Sequence, residues 1–253
     1  MSTTSVEGTG QGRPHRPSQQ LPGPSEARPL PPLRVARLGS IDYQEAWDLQ
    51  QRLAEQRGAD EIPDTLLLLE HPHTYTLGRK GKRRHILLTP RQLKRRGIAV
   101  YDVDRGGDVT YHGPEQLVGY PILKLPPDRL DYVRYIRDVE RALLLAVRDR
   151  GVPARLKEGY SGVWIGDDKI CAIGVKVDAR GVTSHGFALN VNTDLSYFEH
   201  IIPCGITDKG VTSLQKILGR RASMRRAGDA ATRRLAGVFD LEPEIVRRDR
   251  VLK

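Results

Sequence analysis

Apolar residues along this chain recur with two distinct periods. Between Asp131 and Arg150, Tyr132, Ile136, Val139, Leu143 and Val147 repeat every three or four residues, which predicts a helix with one apolar stripe. Ala46, Leu49 and Leu53 follow the same spacing, and Asp42 stands three residues before Glu45 in the manner of a capping box, so a helix is predicted over Asp42 to Gln56. Two further helices are predicted, a short one from Pro90 to Arg96 and a C-terminal one from Ser223 to Phe239. Other apolar positions form short continuous runs. TLLLLEH, after Pro63 and stopped by Pro72, reads as a buried central strand. LRVARLG predicts a first strand, and further strands are expected up to Val103, around Val109 to Tyr111, and from Tyr120 to Leu125. From Ser161 onward the runs are separated by the turn clusters Gly166-Asp167-Asp168 and Asp178-Ala179-Arg180-Gly181, an antiparallel meander. Helices interrupting an incompletely parallel sheet give an α+β class with a mixed, largely antiparallel sheet.

Residues 1–32 change this picture only at one end. They are rich in Pro, Gly, Ser, Gln and Thr, too poor in apolar surface to offset ordering entropy, and are expected to be a disordered tail before a single domain over 33–253. No run approaches the roughly 20 apolar residues of a membrane span. The N-terminus has neither a secretory pattern nor an amphipathic presequence pattern, so a cytoplasmic location is expected. The net charge of +10 favours acidic partners. Charge alone ranks nucleic acid first, but no zinc-finger, RRM or KH signature is present, and an aromatic content of 6% is thin for base stacking.

Two cysteines, Cys171 and Cys204, sit in different settings. Cys171 alternates with Ile173, Val175 and Val177, which predicts packing. Cys204 lies between Pro203 and Gly205, where a fixed φ and a permissive backbone define a stiff bend. That context leaves Cys204 open between a packed thiol and a nucleophile. A thiol nucleophile needs a base or a nearby cation. Lys169 opens the strand that holds Cys171. Under regular alternation it shares a face with Cys171, Ile173 and Val175, and an exposed strand-end lysine is the plain alternative. In RGGDVTYHGPEQ, Gly106-Gly107 permit close backbone approach to a ligand, with Arg105, Thr110, Tyr111 and His112 as nearby donors. The string fits neither a Walker nor a Rossmann spacing, and a glycine hairpin with polar tips is its simpler reading. His71, His73, His85 and His112 have no metal-site spacing, so no metal is expected.

Together these strings resemble the lipoyl(octanoyl) transferase family over about residues 34 to 220. TYTLGR with a following His-Ile-Leu, RGGDVTYHGP-Gln, KICAIGVKV leading to HGFALNV, and PCGI-Thr-Asp followed by VTSL occur in the family's order. The resemblance implies a fold similar to the catalytic domain of biotin and lipoate protein ligases. It also implies that Cys204 takes an octanoyl group from acyl carrier protein as a thioester and passes it to a lysine of a lipoyl domain, in 2-oxoacid dehydrogenases or the glycine cleavage H protein. Lys169 would be the acid/base partner of Cys204. Arg105, Gly106, Gly107, Asp108, Val109, Thr110, Tyr111, His112, Ala172, Ile173, Gly174, His185, Gly186, Phe187 and Ala188 would bind substrate. No cofactor, no nucleic-acid or membrane partner, and a monomer are expected. Arg79, Lys80, Lys82, Arg83 and Arg84, with Arg91, Lys94, Arg95 and Arg96, are a candidate docking surface for the acidic carrier. Glu115 departs from the family, which has glycine at this position. The competing readings are an ATP-dependent lipoate or biotin ligase and, more distantly, a basic nucleic-acid-binding protein.

Overall fold

A computed structural model describes Met1, Thr4 and residues 29–127, 130–202 and 209–252. Most of the expected tail, and the Pro-Cys-Gly bend with Cys204, lie outside the described residues. In chain order the elements begin with β1 (Pro32–Ser40), α1 (Tyr43–Gly58), β2 (Asp64–Glu70) and β3 (Thr74–Leu77). A 3-10 turn at Arg83–His85, α2 (Pro90–Arg95), β4 (Ala99–Asp102), β5 (Val109–His112) and β6 (Gln116–Ile122) follow. Then come α3 (Tyr132–Arg148), β7 (Arg155–Lys157), β8 (Tyr160–Ile165), β9 (Asp168–Val177) and β10 (Thr183–Asn190). The chain closes with β11 (Gly210–Val211), α4 (Leu214–Leu218), α5 (Met224–Phe239), β12 (Glu242–Val246) and α6 (Asp249–Leu252). No helix among the described residues is long and apolar enough to cross a membrane.

The described strands form a nine-stranded sheet in the order β12-β1-β2-β6-β10-β9-β8-β7, with β11 paired to β9, and a small sheet β4-β3-β5. β1 runs parallel to β2 and β12, and the pairs from β2 through β6, β10, β9 and β8 to β7 are antiparallel. The mixed, largely antiparallel α+β class expected from the sequence is the observed one.

Both faces of the large sheet are covered, which is why TLLLLEH is apolar at successive positions. Leu66 and Leu68 pack toward α3 and α5 with Val139, Leu143, Ala231 and Leu235. Leu67 and Leu69 pack toward α1 with Leu49 and Leu53. The helix starts follow local chemistry. The Asp42 carboxylate accepts from Gln44 N at 2.8 Å, Asp131 accepts from Val133 N at 2.7 Å, and Ser223 caps α5 through Arg226 N.

Three local expectations change. The apolar face of α3 starts at Tyr135 rather than Tyr132, which is exposed. β6 begins at Gln116, four residues earlier than predicted. Gly119 sits where the Phe187 ring crosses: a Cβ there would lie 2.2 Å from that ring. The third change is in β9. Val163 pairs with Cys171 while the adjacent Trp164 pairs with Lys169, so Ile170 is an extra residue and alternation is broken. Regular alternation had placed Lys169 on the Cys171 face. The bulge instead turns it to the opposite face, beside Trp164.

Candidate active site

The cavity of about 130 Å³ lies where β5, β9 and β10 meet the Arg105–Asp108 loop. Small residues open it. Ala172 and Ala188, and Gly174 and Gly186, are register partners across β9 and β10. A Cβ on Gly174 would meet Arg105 Cδ and Gly106 O at 3.1 Å, so the loop lies directly on β9. Gly106 N donates to Val175 O at 2.9 Å and fixes that contact. Arg105 is buried, and its guanidinium donates to Thr76 O, Thr76 Oγ1 and Asp108 O, each at 2.8 Å, and to Gly106 O at 2.9 Å. Its first role is thus to hold the glycine loop against β3. Asp108 bonds His85 Nδ1 at 2.8 Å and accepts from Val109 N at 2.6 Å.

Lys169 reaches this cavity because of the β9 bulge. Its ammonium lies 4.8 Å from the centroid of the Trp164 ring, a cation–π contact. Thr212 N donates to Lys169 O at 3.0 Å, and Val211 pairs with Lys169 in the parallel β9–β11 ladder. Cys171 is fully buried on the other face, packed against the α3 side of the core. Burial pushes its thiol well above the ordinary range, partly offset by the charge of Lys169. A buried, protonated thiol suits the packing role expected for it.

The polar side chains of the site form hydrogen-bonded chains with defined tautomers. His112 Nδ1 bonds Gln116 Oε1 at 2.9 Å, Gln116 Nε2 donates to Asn190 Oδ1 at 3.0 Å, and Asn190 Nδ2 donates to Thr212 O at 3.0 Å. An amide oxygen only accepts, so Nδ1 of His112 carries the proton and Nε2 is a bare acceptor. His71 Nδ1 donates to Ile41 O at 2.9 Å, and the Tyr120 hydroxyl donates to His71 Nε2 at 2.8 Å. Burial holds both histidines neutral, lowering His71 to about 4 and His112 well below its usual range. His185, in a left-handed backbone conformation at φ +55, bonds Asp104 Oδ1 through Nε2 at 2.7 Å. Lys176 holds the other Asp104 oxygen at 2.5 Å. Hydrogen bonding to His185 keeps the Asp104 carboxyl well below the carboxylate range, whereas burial lowers His185 despite this partner.

Of the residues singled out in the sequence, Arg105, Gly107, Asp108, Val109, Thr110, His112, Lys169, Ala172, Ile173, Gly174, His185, Gly186, Phe187 and Ala188 line the cavity. Gly106 and Tyr111 do not. Gly106 faces Tyr132, and Tyr111 stacks on Tyr197 at 5.0 Å, with its hydroxyl 2.8 Å from His73 Nδ1. Cys204 lies outside the described residues. Sequence reasoning passed over Tyr43, Tyr120, Trp164, Asn190 and Lys209, which also line the cavity. Lys209 carried a usable signal, a cation directly after the PCGI-Thr-Asp string; the aromatic residues carried none, since distant folding brings them in.

Glu115 has φ +62, the left-handed region that glycine adopts freely. Its backbone N donates to Glu70 Oε2 at 2.6 Å, its carbonyl accepts from Asn192 N at 3.1 Å, and its carboxylate pairs with Arg221. The loop thus keeps its glycine-like geometry with a side chain that ties it to the segment before α5.

Comparison with known proteins agrees with this architecture. Residues 42–236 match the lipoyl protein ligase A/B catalytic domain. An octanoyltransferase from Chloroflexus aggregans is 51% identical over 213 residues, covering 83% of this chain and 96% of that protein. One from Solibacter usitatus is 51% identical over 208 residues, covering 82% and 93%. Lipoate-protein ligase A bound with ATP shares the fold with a TM-score of 0.70 at 16% identity, over 87% of this chain and 92% of that one. Biotin protein ligase from Aquifex aeolicus, in complex with biotin and ATP, does so at 0.51 and 16% identity, over 81% and 70%. The match across most of the chain, at this level of identity to full-length relatives, means that the chain belongs to the lipoyl protein ligase A/B catalytic domain family.

Proposed function

We propose that this chain is an acyltransferase that moves an octanoyl group from acyl carrier protein to a lysine of a lipoyl domain, through a thioester on Cys204. The observation that carries the reading is the placement of Lys169. The β9 bulge turns it into the cavity, and the strand that follows the Cys204 segment pairs with it, Val211 beside Lys169. The identity to relatives named octanoyltransferase supports the acyl group and the reaction class.

In the first step Lys169, in its neutral amine form, takes the Cys204 thiol proton, and the sulfur attacks the donor thioester carbonyl. The carbonyl's bond to the carrier sulfur breaks, and Lys169 returns the proton to the departing thiol. In the second step the acceptor amine attacks the Cys204 thioester carbonyl, the bond from that carbonyl to the Cys204 sulfur breaks as the amide forms, and the proton lost by the amine passes to the sulfur through Lys169. One thioester is exchanged for another and then for an amide, so the sequence runs downhill without ATP. His112 and the Arg105–Asp108 loop line the cavity that would take the acyl chain.

The basic segment is a candidate carrier surface. Arg79, Lys80, Lys82, Arg83, Arg84 and the basic residues of α2 are exposed. The same segment is tied to the residues just before Cys204, through Ile202 N donating to His85 O at 2.9 Å and Leu87 N to His200 O at 2.9 Å. A carrier bound there would sit beside His200 and Ile202, which precede Cys204 by four and two residues in the sequence.

Transfer to a purified lipoyl domain tests the reading against the ligase alternative. With octanoyl-carrier protein as donor and no ATP, the chain should modify the acceptor, and adding ATP should not change the rate. Acyl transfer that required ATP and free octanoate, and persisted in Cys204→Ala, would replace the transferase reading with a ligase.

A further inference from the structure

Glu140 is a carboxylate with no exposed surface on the apolar face of α3, beside Val139 and Leu143. An uncompensated charge there would be strongly destabilising, and an aliphatic residue would complete the stripe. Two hydrogen bonds hold it. Arg137 Nη1 donates to Oε2 at 2.8 Å from the same helix, and Gly162 N donates to Oε1 at 2.8 Å from β8. The second bond reaches the bulge. Gly162 has φ +108 and directly precedes Val163 and Trp164, between which the β8–β9 register shifts. A Cβ on Gly162 would lie 2.5 Å from Cys171 O and 3.4 and 3.5 Å from Lys169 Cδ and Cε. The aliphatic stem of Lys169 therefore runs over the backbone that Glu140 holds, before its ammonium meets the Trp164 ring.

We propose that Glu140 is a positioning residue which, by accepting the Gly162 N–H, fixes the β8–β9 bulge and so sets where the Lys169 amine stands in the cavity. The proposal rests on Lys169 being the acid/base group. Glu140 is a buried acid outside all of the sequence motifs. The bond to the backbone, rather than the charge, does the positioning.

Glu140→Gln and Glu140→Asp separate the two properties. Glutamine keeps the reach and an acceptor oxygen without the charge; aspartate keeps the charge but is one methylene too short for Gly162. The readouts are single-turnover acylation of Cys204 by octanoyl-carrier protein across pH, KM for the donor, and thermal unfolding. Glu140→Gln should acylate within about threefold of the parent with an unshifted pH profile. Glu140→Asp should remain folded, with KM little changed, and acylate about tenfold or more slowly with a shifted pH profile, as a misplaced acid/base group requires. Parent-like rates and profile in Glu140→Asp, or a slow Glu140→Gln beside a parent-like Glu140→Asp, would overturn the proposal. Lys169→Ala in the same assay separates the layers. If it acylates normally, the Lys169 reading itself fails; if it is slow while Glu140→Asp is not, only the Glu140 assignment fails.

Discussion

Burial governs the residues around the cavity, and His71 shows the consequence for pH. Its folded pKa is lowered to about 4 from 6.5 by desolvation, against the opposing hydrogen bond to Ile41 O. The unfolded chain takes up this proton near pH 6.5, and the folded chain only near pH 4. Stability is therefore complete above about pH 6.5 and falls as pH drops through that window, by roughly 3 kcal/mol in all. His112 is shifted in the same direction. Urea unfolding between pH 7 and pH 4.5 should show this fall, and His71→Asn, which can still donate to Ile41 O, should flatten it; an unchanged slope would mean that His71 is not held neutral. At this scale the sequence was informative where chemistry is concentrated in short strings. Arg105, His112, Lys169 and His185 could all be picked out, and all line the cavity. The face on which Lys169 stands could not be read, because one unpaired residue, Ile170, reverses the alternation. Glu140 was equally hidden, since the partner that links it to β8 is a backbone N–H from another element.

The elements owe their positions to a few close approaches. A Cβ on Gly186 would lie 2.1 Å from Gly119 O, where β10 crosses β6 with no room for a methyl group. Gly186→Ala should thus cost about 3 kcal/mol, through overpacking against backbone. Gly237 in α5 is the contrast. It is helical and exposed, with nothing within 4 Å of a Cβ. Gly237→Ala should stabilise by about 0.5–1 kcal/mol through helix propensity. Denaturant midpoints of the two variants test both; equal effects would mean that the β6–β10 spacing is not limiting. Helix starts were legible because Asp42, Asp131 and Ser223 cap by local chemistry. The start of β6 was not, because Gly119 is required by the distant Phe187 rather than by a turn.

At the scale of the molecule, the fold leaves more than one reaction open. Lipoate-protein ligase A bound with ATP and this chain share the architecture at 16% identity, and a fold of this kind does not choose between activated donors. What distinguishes the transferase reading is covalent chemistry at Cys204 with Lys169 beside the cavity and a basic surface tied to the preceding residues. The covalent step is therefore the point to measure. Intact-mass analysis after incubation with octanoyl-carrier protein should show one octanoyl adduct, labile to hydroxylamine and absent in Cys204→Ser. Active protein that transfers octanoate while never carrying such an adduct would contradict the acyl-enzyme account.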